Sequence, residues 1–170
     1  MTTLYVDNIA PNLQSKISAP NLTLPSGSIV QVKHSIYSTW TTTTLATWAQ
    51  TGLNCSITPT STSNDILVSI TAAGLYMQSS GDIIGFRLYK NGVFVADLDH
   101  ACRHVTGGNG GNAAYTFRET ASATTALNYQ LYWRGNTAGS GYAIGINNYA
   151  GSFGSNGGTK SSMTLMEIAG

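Results

Sequence analysis

The segment from Phe86 to Leu98 constrains the fold more than any other part of the sequence. Phe86–Lys90 and Val93–Leu98 both have the composition of strands, and Asn91-Gly92 joins them. Asn and Gly tolerate the positive φ angles that both central residues of a type I′ turn require. The segment therefore predicts a β-hairpin in the middle of the chain.

Other segments with a period of two recur from Ser28 to the C-terminus, separated by turns rich in Gly, Ser and Asn. They predict strands over Val30–Ile36, Thr41–Thr44, Leu53–Thr58, Asp65–Tyr76, Ala114–Glu119, Leu127–Arg134, Tyr142–Asn147 and Ser161–Ile168. Gly107–Asn112 is predicted to be a loop. A total of about eight to ten short strands without a convincing helix indicates an all-β domain, a β-sandwich or jelly roll.

The low charge of the chain supports this fold class and excludes some partners. Only 9% of the residues are charged, against about 25% in an average soluble domain. The net charge of +1 offers no electrostatic attraction for nucleic acid. No apolar run reaches the roughly 20 residues that span a bilayer, and the start lacks a secretory signal. We expect no nucleic-acid partner and no membrane insertion.

The first 27 residues differ from the body, residues 28–170. They contain three of the four prolines, which disfavour helices and hairpins. Apolar residues nevertheless recur through the stretch, which predicts an extended N-terminal arm that docks on another surface. That surface could belong to other copies of the chain or to a larger assembly. The alternative is a flexible terminus that docks on nothing. The candidate docking residues are Leu4, Val6, Ile9, Leu13, Ile17, Leu22 and Leu24.

Three residues form the only pattern that suggests a metal. On one strand, His100, Cys102 and His104 would share a face. Imidazole and thiolate both bind zinc, but three parallel side chains make a poor tetrahedral cage without a fourth ligand or symmetry mates. They are weak candidates, and we expect neither a metal nor a cofactor. Cys55 and Cys102 are expected to be two separate buried thiols.

Patterns typical of catalysis are weak or missing. Asp97 and Asp99 would point to the same side of a strand, but both lie near turn-forming sequence, where the Asp side chain often bonds its own backbone. No Gly-x-Ser-x-Gly elbow is present. The glycine run Gly107–Gly111 lacks the Gly-Lys-Ser/Thr ending of a phosphate loop. The sequence therefore favours a structural or binding module over an enzyme.

Aromatic residues of the strand predicted over Leu127–Arg134 divide between its two faces. Trp133 is in phase with Leu131 and Tyr129, which predicts a place in the core or at a subunit interface. Tyr132 lies on the opposite face, where it could meet a neighbouring subunit.

Several short segments resemble virion proteins and fibre tips of tailed bacteriophages, especially marine phages and cyanophages. The resemblance is carried by Leu4–Ile9, Leu24–Val32, Ser63–Ile70, Phe86–Gly92 and Ser162–Ala169. It implies a jelly roll similar to the tumour-necrosis-factor and C1q knobs, assembled as a homotrimer.

The resemblance also implies a role and a location. Such a protein would sit on the surface of the virion, docked through its arm on a capsid or tail protein, as a decoration or fibre protein. The alternative is an adhesin at a fibre tip that binds a host receptor or glycan. If trimers form as in those knobs, Tyr129 or Tyr132 would pack near the three-fold axis. The resemblance offers no catalytic residues.

Overall fold

The computed structural model describes residues 24–78, 83–103, 108–135, 143–147 and 158–170, with the backbone alone for 99–103 and 108–110. These residues form ten strands and contain no helix that could cross a membrane. The strands are β1 (Ile29–Tyr37), β2 (Thr41–Thr43), β3 (Ala49–Ile57), β4 (Asp65–Met77), β5 (Ile83–Lys90), β6 (Val93–Arg103), β7 (Gly108–Thr120), β8 (Leu127–Gly135), β9 (Ile144–Ile146) and β10 (Ser161–Ile168).

The strands form two antiparallel sheets. Sheet A has the order β1-β10-β4-β7, and the short β9 and β2 continue it beside the far end of β4. Sheet B has the order β3-β8-β5-β6. The chain passes between the sheets repeatedly, with β1, β4, β7 and β10 in one and β3, β5, β6 and β8 in the other. This is the connectivity of an eight-stranded jelly roll, so the predicted fold class is confirmed.

The core lies between the sheets and follows the alternation of the strands. On β4, Ile66, Val68 and Ile70 point inward and are buried. On β8, Tyr129 and Trp133 are fully buried, so Trp133 is a core residue. Burial of each such side chain contributes about 1.5–3 kcal/mol, so these alternating positions supply most of the driving force for closing the sandwich.

The hairpin of β5 and β6 has the turn that the sequence predicts. Lys90 pairs with Val93, and the two residues between them have positive φ, 51° for Asn91 and 79° for Gly92. These signs are those of a type I′ turn, whose twist matches that of the flanking strands.

The prediction of a loop over Gly107–Asn112 is wrong for the residues that the structure describes. Strand β7 begins at Gly108 and pairs with β4 as far as Met77. The register shifts twice in this region, and Gly111 has a φ of 85°. Glycine weakens strand propensity but allows such irregular pairing, so its abundance misled the prediction.

A bulge near the start of β1 decides which side chains of that strand face outward. Ile29 pairs with Ile168, whereas Gln31 pairs with Glu167, so Val30 is an extra residue in the ladder. The bulge places Gln31 on the inner face and sends the next residue in the strand to the outer face.

Gly52 on β3 is a position where only glycine fits. It has a φ of 99°, and a Cβ added there would lie 2.6 Å from Cζ of Tyr37. The Tyr37 ring has little freedom to move, because its hydroxyl bonds Thr41 Oγ1. We expect Gly52→Ala to lower the free energy of unfolding by about 3 kcal/mol, through backbone strain and overpacking. Urea unfolding would measure the loss.

The matched control is Gly92→Ala. Gly92 also has positive φ, but nothing lies within 4 Å of an added Cβ. The Gly92→Ala variant therefore introduces backbone strain without a steric clash, and it should lower the free energy of unfolding by about 1 kcal/mol. Equal losses in the two variants would show that the contact with Tyr37 is unimportant.

Candidate assembly surface

The outer face of sheet A is formed by the side chains that alternate with the buried ones. The rows across the sheet follow the register of β1, β10, β4 and β7. From one end to the other they are Ile29, Ile168, Asp65 and Thr120; Val32, Met166, Leu67 and Arg118; His34, Thr164, Ser69 and Thr116; and Ile36, Ser162, Thr71 and Ala114.

One corner of this face is apolar, and no other strand among the described residues lies over it. We call it the apolar corner; it comprises Ile29, Val32, Leu67, Met166 and Ile168. Ile29 and Val32 are 58% and 51% exposed, and the other three are half-buried. Single exposed apolar residues are ordinary, but a contiguous apolar group on the outer face of a sheet marks an interaction surface.

The rest of the face is nearly neutral. Its middle rows hold mostly Thr, Ser and Ala, whose short side chains let another surface approach closely. The exposed Ile36 extends the apolar character along β1. A neutral face of small residues beside an apolar corner is inexpensive to dehydrate, because few charges lose their water.

Some polar groups on this face bond one another. His34 Nδ1 and Thr164 Oγ1 are 2.9 Å apart. Arg118 forms an ion pair with Asp65, and Thr120 donates a hydrogen bond to the same carboxylate at 3.0 Å. The hydrogen bond from Arg118 lowers the pKa of Asp65 below its usual value. The charged groups of this face, Asp65 and Arg118, therefore already have each other as partners.

Trp40 marks the opposite end of the same face. It is 54% exposed and lies with its ring centroid 6.5 Å from that of Tyr76. Gly145 of β9 lies beneath it, since a Cβ added there would be 3.4 Å from Trp40 Nε1. The outer face of sheet A thus has exposed apolar area at both ends.

Of the two tyrosines expected near a three-fold axis, Tyr129 is buried in the core. Its ring is fully buried between the sheets, because its strand position points inward. Its hydroxyl donates a 2.6 Å hydrogen bond to Glu119, which also accepts one from Lys90 at 2.9 Å. Burial raises the pKa of Tyr129. The residue therefore connects the two sheets in the core, and a neighbouring copy could not reach its ring.

Tyr132 is half-buried on the outer face of sheet B, stacked on Tyr89 with ring centroids 4.0 Å apart. This face is on the other side of the sandwich from the apolar corner. Contact between Tyr132 and another subunit stays a prediction.

The metal candidates fall mostly outside the described residues. The backbones of His100 and Cys102 pair with Gly85 and Ile84 in an irregular part of β6, but their side chains and the whole of His104 are not described. Among the side chains that the structure does describe, no group of three His, Cys, Asp or Glu could hold a metal. Cys55 is a free buried thiol, as predicted, and burial raises its pKa.

Most docking residues of the arm also lie outside the described residues, namely Leu4, Val6, Ile9, Leu13, Ile17 and Leu22. Leu24 is described and is 39% exposed. Beside it, Gly27 N donates to Ala169 O at 2.8 Å, so the chain enters the body next to the end of β10.

Sequence reasoning missed the apolar corner. The alternation of β1 and β10 predicted strands, but both faces of β10 carry apolar residues: Met163 and Leu165 inward, Met166 and Ile168 outward. A strand with apolar residues on both faces is the available signal, since a sheet with one face in water alternates cleanly.

Comparison with known proteins adds no assignment. No protein-family model matches the chain, and no curated protein matches its sequence. What the protein does is therefore proposed from the chemistry of its surfaces together with the resemblance of its sequence segments.

Proposed function

We propose that this protein is a structural component of a tailed-bacteriophage particle, a homotrimeric jelly-roll knob that docks on the capsid or tail through its N-terminal arm. The observation that carries the proposal is the outer face of sheet A, which no other described strand covers and which has an apolar corner and a neutral centre. The trimeric state and the location on a phage particle rest on the resemblance to phage virion proteins.

Self-association suits this face better than a charged partner. The chain has a net charge of +1, and only 9% of its residues are charged, so copies repel one another weakly. Soluble oligomers are mostly closed and symmetric, and a cyclic trimer would turn one such face of each copy toward the axis. The side chains of Ile29 and Val32 would then be buried. Each Å² of apolar surface removed from water would stabilise the trimer by roughly 25 cal/mol.

The position of the arm supports its role as the attachment device. The chain enters the body at Leu24–Gly27, beside the apolar corner, so the arm starts at the edge of the proposed trimer contact. Twenty-three extended residues reach roughly 75 Å, far beyond one jelly roll. The arm could therefore bind a capsid or tail protein while the knob remains on the surface of the virion.

The test is the mass of the full-length chain in dilute solution, by native mass spectrometry and light scattering. We expect three times the protomer mass; a stable monomer would refute the trimer. A variant that starts at Leu24 keeps the pairing of Gly27 with Ala169 and should still form the trimer but fail to enter particles. If that variant does not fold, the arm is part of the core instead.

A second candidate function is that of an adhesin that binds a receptor or glycan at a fibre tip. It is favoured by a cluster of arginine and aromatic side chains on the outer face of sheet B. Because this face is opposite the apolar corner, one protein could serve both functions.

A further inference from the structure

The outer face of sheet B carries a continuous group of arginine and aromatic side chains. We call it the arginine–aromatic surface; it comprises Trp48, Arg87, Tyr89, Phe94, Tyr132 and Arg134. The register of β8, β5 and β6 brings them together: Arg87 is opposite Tyr132 and Asp97, and Tyr89 is opposite Phe94.

Both arginines lie on the same indole ring. The guanidinium carbon of Arg87 is 4.2 Å from the centroid of Trp48, and that of Arg134 is 4.8 Å from it. The indole ring can lie this close to the backbone of β5 because residue 85 is glycine. A Cβ added at Gly85 would lie only 3.3 Å from the indole. Stacking holds both guanidinium groups in place, which lowers the entropy that a ligand would have to remove.

The two arginines differ in their acidic partners. Arg87 Nε is 2.5 Å from Asp97 Oδ1, so its charge is already matched. Arg134 is exposed and has no ion pair with any described residue. Among the described side chains, the surface therefore has one net positive charge, carried by a planar group that can bind a carboxylate through two parallel hydrogen bonds.

Rings and amides continue from Arg134 across the face. Tyr89 contacts Phe94 edge-on at a centroid distance of 6.0 Å, and Phe94 is 47% exposed. Gln50 and Gln130 project on the same side from β3 and β8. Aromatic rings accept the apolar C–H faces of sugars, and amides both donate to and accept from hydroxyl groups.

We propose that the arginine–aromatic surface binds a carboxylate-bearing saccharide, with the carboxylate on Arg134 and the sugar rings over Tyr132, Tyr89 and Phe94. An open sheet face suits a chain of sugars better than a small ligand, which needs a pocket. The proposal does not depend on the trimer or on the virion. It supplies a ligand class for the adhesin function.

The experiment is calorimetric titration of the full-length protein with a short galacturonic acid oligomer. The same oligomer with its carboxylates methyl-esterified keeps the rings and loses the charge, and inorganic polyphosphate offers charge without rings. We expect saturable binding of the acid, at least about tenfold weaker binding of the ester, and weak binding of polyphosphate. Equal binding of the acid and ester, or tighter binding of polyphosphate, would overturn the proposal.

Three variants locate the binding. Arg134→Ala should weaken binding of the acid at least about tenfold, and Arg134→Lys should restore only part of it, because lysine keeps the charge without the planar fork. Lys160→Ala removes an equal charge at an exposed position away from this face and should bind as the parent does. Absence of saturable binding, or equal losses in Arg134→Ala and Lys160→Ala, would refute the site. Circular dichroism of each variant verifies that it is folded.

Discussion

Val32→Glu is expected to convert the proposed trimer into monomers that remain folded. Val32 lies in the apolar corner and is 51% exposed, so the isolated jelly roll tolerates a carboxylate there. In the proposed trimer the same carboxylate would be buried near two copies of itself. Burying an unpaired charge costs several kcal/mol, and each 1.4 kcal/mol is about a factor of ten in affinity. We therefore expect association to weaken by at least about a hundredfold, measured by analytical ultracentrifugation over a range of concentrations.

The control is Val93→Glu, the same substitution at the hairpin of sheet B. Val93 is 68% exposed and lies away from the outer face of sheet A. The Val93→Glu variant should therefore leave the proposed trimer intact. If both variants dissociate, added negative charge is the cause rather than the apolar corner. If neither does, the outer face of sheet A is not the contact between copies.

Glu167→Gln is expected to cause a large loss of stability although it changes only one atom of the side chain. Glu167 is fully buried at the inner face of β10. Its Oε2 accepts a hydrogen bond from Gln31 at 2.6 Å, and its Oε1 accepts three, from Thr60 N, Thr60 Oγ1 and Asn64 Nδ2. All four partners are donors, so the amide nitrogen of glutamine would face a donor in either orientation. We expect a loss of about 2–4 kcal/mol in the free energy of unfolding.

The loss should depend on pH. Burial by itself raises the pKa of Glu167, but the hydrogen bonds from Gln31, Asn64 and Thr60 together lower it below its usual value. A group with a depressed folded pKa stabilises the protein above its unfolded pKa, about 4.5, and this contribution disappears as the pH falls through the folded pKa. The difference between the parent and Glu167→Gln should be constant near neutral pH and shrink in acid.

Urea unfolding at several pH values would measure this difference, at one protein concentration because assembly adds a concentration-dependent term. Asp97→Asn is the matched control: it also turns a carboxylate into an amide, but its side chain is 59% exposed. An exposed ion pair contributes about 0–1 kcal/mol. A loss from Glu167→Gln no larger than that of Asp97→Asn would mean that the buried carboxylate does not hold the strands together.

Glu167 also shows where sequence reasoning stops. Gln31, Thr60 and Asn64 are far from it in the chain, and only the closing of the sandwich brings them within hydrogen-bond distance. The arginine–aromatic surface has the same origin, since Trp48 reaches Arg87 and Arg134 only through the pairing of β3, β8 and β5. No local pattern encodes such contacts.

The sequence by itself determined the local structure. A period of two predicted most of the strands, and Asn91-Gly92 predicted the hairpin turn, because both depend on backbone preferences within a few residues. The alternation also grouped residues by face, as Ile66, Val68 and Ile70 show. Only the tertiary structure decided which face is covered: the bulge at Val30 turns Val32 outward, and no other described strand lies over it. Alternation separates the two sides of a strand, but long-range packing decides which side is buried.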